Sequence, residues 1–109
     1  MQIHIDVDPA FWRNLHKATK NWPERQRSQA SISRYALKEI YCEIMEYGMD
    51  SIKASPAFGT GQHVQVKSHP EDEEVWLDLI ARFGSSAKAL KIALAFLLES
   101  LESYSDVSE

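Results

Sequence analysis

Four histidines, a single cysteine and a run of acids are the side chains in this sequence best suited to chemistry. His4, His16, His63 and His69 could offer ring nitrogens to a metal. No two of them stand at the helical spacing of paired ligands, and no cysteine or paired carboxylate accompanies them, so no metal site and no cofactor is expected. Cys42 lies in a helical apolar pattern and reads as a buried small hydrophobe; one cysteine gives neither a disulfide framework nor a metal cluster. Catalysis finds no carrier either. There is no glycine-rich phosphate loop, no nucleophile elbow and no Ser-His-Asp grouping, and GTGQH over 59–63 reads as a short loop. The chain is read as a non-enzyme. Glu71, Asp72, Glu73 and Glu74 fall in the first turn of a helix, where negative charge suits the dipole and faces water.

With 109 residues, the chain is long enough for one packed core and too short for two of ordinary size. A composition of 44% hydrophobic and 26% charged residues is that of a folding globular protein, not of a disordered or fibrous one. No apolar run approaches the roughly 18 residues that span a bilayer, and MQIHIDVD lacks the basic and apolar regions of a signal peptide, so a cytoplasmic location and no membrane are expected. The net charge of −4 argues against nucleic-acid binding by the molecule as a whole. Its distribution argues differently. Between Arg13 and Arg34 stand Arg13, Lys17, Lys20, Arg25, Arg27 and Arg34 against one acid, Glu24, while acids gather at 71–74 and at Glu99, Glu102, Asp106 and Glu109. A polarised chain can steer one face toward phosphates.

The elements that must position these groups follow from periodicity. Ile3, Ile5 and Val7 alternate with Gln2, His4 and Asp6, the pattern of a strand with one buried face. Asp8 and Pro9 suit the start of a helix, and Phe11, Leu15, Ala18 and Trp22 carry it to about Asn21. WPERQRSQAS reads as a loop with a serine-rich helix start, followed by a helix from about Ser31 to Tyr47 that ends at Gly48. SPAFGTGQ is the linker candidate. Val64 and Val66 then alternate with His63, Gln65 and Lys67. Ser68 and Glu71 have capping-box spacing around Pro70, and a helix bearing Val75, Trp76, Leu79, Ile80 and Phe83 stops at Gly84. Ser85 and Ser86 can cap a last helix through Leu90, Ala93, Leu94, Leu97 and Leu101. Trp22 and Trp76 belong to apolar stripes and are read as core, whereas Trp12 lies off its stripe.

The second half repeats the order of the first. An offset of 61 places Ile3 on Val64, Ile5 on Val66, Pro9 on Pro70 and Leu15 on Trp76, and an offset of 57 places Arg34 on Lys91, Ala36 on Ala93 and Leu37 on Leu94. The expected fold is mainly α with a short β-ribbon, built from two strand-helix-helix repeats that share a core. The first repeat spans 1–48, a linker 49–62, the second repeat 63–103 and a flexible tail 104–109.

HVQVKS, EVWLDLIARFGSS and KALKIALAFLL, in this order, resemble the ribbon-helix-helix family of the Arc, MetJ and CopG type: an alternating strand, a helix, a glycine or serine turn, and a second helix with a basic-x-Ala-Leu stretch. The two-unit layout is similar to that of TraY. The resemblance implies a sequence-specific DNA-binding regulator, a repressor or a plasmid or phage accessory factor, with an antiparallel ribbon in the major groove of double-stranded DNA. The ribbon would form within one chain as a pseudo-dimer or between two chains of a homodimer. It implies base reading by Gln2, His4, His63, Gln65 and Lys67. It also implies phosphate anchoring at the N-termini of the second helices, by Arg25, Arg27, Ser28 and Ser31 and by Ser85, Ser86 and Lys88. Asp6 departs from that chemistry: phosphates repel a carboxylate, and cytosine N4 is its one evident base partner.

The rival reading is a protein-interaction module, an antitoxin, adaptor or inhibitor of a host protein, that keeps the fold without binding DNA. The net acidity, Asp6 and the acidic C-terminal helix favour a protein partner at the acidic face.

Overall fold

Alternation of aliphatic and polar residues produces two strands, and in the computed structural model, which describes residues 1–107, these pair with each other. Strand β1 is Gln2–Val7 and β2 is Gln62–Lys67. They run antiparallel, with Gln2 opposite Lys67, His4 opposite Gln65 and Asp6 opposite His63. Ile3, Ile5, Val7, Val64 and Val66 all point inward and are at most 5% exposed. A slip of one residue would turn this whole set to solvent and bury the polar one, so the hydrophobic pattern pins the register.

Helix α1 (Pro9–Ala18) starts where Asp8 accepts the Ala10 amide at 3.1 Å, with Pro9 in the first turn. It stops at Thr19, short of Asn21. The Thr19 hydroxyl donates to the His16 carbonyl at 2.7 Å and closes the last turn. A 3-10 turn over Glu24–Gln26 leads to α2 (Gln29–Tyr47), capped by Ser28 and ended by Gly48 at φ 87°. A further 3-10 turn at Pro70–Asp72 opens into α3 (Glu73–Phe83); Gly84, at φ 98°, ends α3, and α4 runs from Ser86 to Val107. Residues 108 and 109 and the side chains from 104 onward, Asp106 and Glu109 among them, lie outside the described part.

The expectation of two strand-helix-helix repeats forming a ribbon-helix-helix fold is corrected. The described residues form one unit, a single two-stranded antiparallel sheet with four α-helices around one core. Neither half encloses a core of its own: α2 packs on α4, and α4 packs on β1 and α1 as well as on α3. The halves also differ in build. Nine residues, with a 3-10 turn among them, separate Thr19 from Gln29, whereas only Gly84 and Ser85 separate α3 from α4. The offsets seen in sequence reflect the shared periodicity of strand and helix, which any such pair of segments has.

Two local expectations also change. Cys42 is exposed, because it falls on the side of α2 away from Ile40 and Ile44. The capping box forms one residue later than expected. His69 donates its amide to Asp72 Oδ2 at 3.0 Å, while Ser68 donates its hydroxyl to Glu73 Oε1 at 2.7 Å.

The segment between α2 and β2 is docked on the rest. The Ala57 amide donates to the Lys91 carbonyl at 3.2 Å, and the Asp8 amide donates to the Phe58 carbonyl at 3.0 Å. Gly59, at φ 94°, passes so close that a Cβ there would stand 2.9 Å from the Asp8 Cβ. No helix among the described residues is long and apolar enough to cross a membrane.

Candidate nucleic-acid interface

The outer face of the ribbon carries Gln2, His4 and Asp6 from β1 and His63, Gln65 and Lys67 from β2, all exposed. One short strand pair thus gathers every residue for which base reading is expected, together with Asp6. The register makes Gln2 and Lys67 neighbours, sets Gln65 beside His4, and puts His63 diagonally within reach of His4. His4 Nδ1 and His63 Nε2 share a hydrogen bond of 3.3 Å, and His63 Nδ1 approaches Asp6 Oδ1 at 3.4 Å. The carboxylate that looked out of place in sequence therefore faces an imidazole. Sequence spacing does not show this, because the contact depends on how two strands 57 residues apart are registered.

Helix α2 fixes β2 from the side. Gln29 Nε2 donates to the His63 carbonyl at 3.0 Å and Arg34 Nε donates to the Lys67 carbonyl at 3.0 Å. Both tie down carbonyls that an edge strand would otherwise leave to water. Neither residue was singled out for this from the sequence, and nothing local in the sequence signals a helix side chain reaching a strand edge.

Two grooves flank the ribbon. On the α2 side, a groove of about 360 Å³ is lined by Trp12, Arg13, His16, Arg27, Gln29 and Gln62, among others. On the α4 side, one of about 400 Å³ joins His4, Asp6, Thr60 and His63 to Ala87 and Lys91. The expected phosphate residues divide between fold and surface. Ser28 Oγ accepts the Ser31 amide at 3.1 Å and donates to Ser31 Oγ at 3.0 Å, and Ser85 Oγ accepts the Lys88 amide at 3.1 Å, so Ser28 and Ser85 serve as helix caps. Arg27, which lines the groove on the α2 side, is tied into the fold: it donates from Nε to Thr19 Oγ1 and from Nη2 to the His16 carbonyl, both at 3.2 Å. Arg25 and Lys88 are exposed, and Ser86 is half-buried in the first turn of α4.

At the opposite end of the ribbon, the Met1 amino group donates to Ser68 Oγ at 3.0 Å and to Glu73 Oε1 at 3.1 Å. The Ser68 hydroxyl, with the amino group beside it, holds the Glu73 carboxyl below its ordinary range. Among the described residues, no group of three or more His, Cys, Asp or Glu side chains is placed to hold a metal ion. Neither family models, nor curated proteins, nor solved structures yield a match to this chain.

Proposed function

We propose that this protein is a sequence-specific DNA-binding regulator that lays the outer face of its β-ribbon in the major groove. The observation that carries the reading is the division of the ribbon. Five aliphatic side chains are sealed in the core, and Gln2, His4, His63, Gln65 and Lys67 project together on the other side. A two-stranded ribbon fits the major groove, and these side chains have the chemistry for it: Gln65 suits the N6 and N7 of adenine, and Lys67 suits the O6 and N7 of guanine. Arg25 and Lys88, both exposed, and Lys91, which lines the groove on the α4 side, supply cations for the phosphates.

With these three cations engaged, log affinity should fall against log salt with a slope of roughly −3. Replacing Gln65 and Lys67 together by alanine should abolish the preference for a selected site and leave the melting temperature unchanged, since both side chains are exposed. Binding that ignores salt, or a double variant with undiminished site preference, refutes the reading.

A second reading has its own support. The net charge is −4, and Met45 and Tyr47 on α2 and Leu77 on α3 are large apolar side chains left exposed. These suit a protein partner, or a second copy of the chain, bound through an interface that responds little to salt.

A further inference from the structure

We infer that Asp6, His63 and His4 form a tautomer relay that sets which base His4 accepts, and that acidification reverses its choice; the inference rests on the DNA reading above. The Asp6 carboxylate lies 3.4 Å from His63 Nδ1, and its negative charge favours the proton on the ring nitrogen nearest it. The neutral His63 ring then has its lone pair on Nε2. The 3.3 Å bond from there to His4 Nδ1 requires the proton on His4 Nδ1. His4 is left with a bare Nε2, the one ring nitrogen of the pair turned to neither partner. At neutral pH this face therefore presents an acceptor, which suits the amino groups of adenine N6 or cytosine N4.

Histidine is the side chain that changes charge between about pH 5 and 8, and within the relay the open lone pair on His4 Nε2 is where an added proton lands. His4 then becomes a donor on both sides, and the matching base is guanine, with acceptors at O6 and N7. The surroundings oppose one another in charge. The charged groups are Asp6 on β1, Lys91 of α4, which lines the same groove, and Lys67 further along β2. Gln65 opposite His4 and the loop residues Gly59 and Thr60 are uncharged.

Two measurements test the relay, and the first needs no DNA. Imidazole nitrogen spectra of the ¹⁵N-labelled protein at about pH 8, above the range in which histidines titrate, should show the proton on Nδ1 of both rings. A proton on His4 Nε2 overturns the inference. The second is site selection from a randomised duplex pool at about pH 8 and about pH 5.5. The base under His4 should change from adenine or cytosine to guanine, with relative affinity moving about three- to tenfold, the worth of one hydrogen bond. In Asp6→Ala the His63 proton is free to move to Nε2 and reverse the relay, so that variant should select guanine at both pH values. An unchanged base preference overturns the relay and leaves DNA reading standing. No retained duplex at either pH overturns DNA reading itself, and the switch with it.

Discussion

Arg27 and Arg25 stand two residues apart in a basic stretch, yet they should fail in opposite ways when replaced. The Arg27 guanidinium donates to Thr19 Oγ1 and to the His16 carbonyl, both at 3.2 Å, while the wholly buried Thr19 hydroxyl donates to the same carbonyl. One cation thereby ties the end of α1 to the start of α2. Hydrogen bonds from a charged donor contribute about 1.5–3 kcal/mol when enclosed, and water can replace part of this at the half-buried Arg27, so Arg27→Met should cost about 1–2 kcal/mol. Methionine keeps most of the apolar stem, which confines the loss to the guanidinium. For a domain of this size the melting temperature should fall by roughly 5–10 °C, read by circular dichroism or calorimetry. Arg25→Ala should leave melting unchanged, because its exposed side chain has no partner among the described residues, and should instead reduce the salt slope of DNA binding by about one. Arg27→Met melting within about 2 °C of the parent would refute the tether.

Three further substitutions probe the fold. Ser33 is fully buried and its hydroxyl has no hydrogen-bond partner among the described residues, so Ser33→Ala should stabilise the protein by about 1 kcal/mol in denaturant titrations. Gly59→Ala meets both a positive φ and the Asp8 Cβ at 2.9 Å, and should cost about 2–3 kcal/mol; Gly48→Ala, with a positive φ but open space around it, should cost about 1 kcal/mol. The Glu73 carboxyl, held below its ordinary 4.5 by Ser68 and the Met1 amino group, stabilises the fold above that value. That contribution disappears as pH falls through the lowered one, so Glu73→Gln should flatten the acid limb of stability against pH between these limits.

The outward and inward faces of the ribbon were legible because a strand has a period of two and Ile3, Ile5, Val7, Val64 and Val66 mark it without a break. Helix ends were legible where glycine or a capping side chain fixes them, at Asp8, Gly48 and Gly84. Tertiary competition is what escaped. Arg27 sits in a basic run and looks available to phosphate, but a helix C-terminus with unpaired carbonyls lies within its reach. Cys42 sits in an apolar pattern, and its exposure depends on which side of α2 meets α4. The box around Pro70 moved by one residue because Glu73 offers Ser68 a partner. A length of 109 residues already pointed to one shared core, whereas the unequal build of the halves, which makes the four helices one unit and not two repeats, is a property of packing.

Titrating the ¹⁵N-labelled protein with a selected duplex, and following its amide and side-chain resonances, tests the central claim most directly. The account predicts that shifts concentrate at Gln2, His4, Asp6, His63, Gln65 and Lys67 and at the first turns of α2 and α4, and that they weaken steeply with salt. Shifts centred on Met45, Tyr47 and Leu77, or none at low salt, would contradict it.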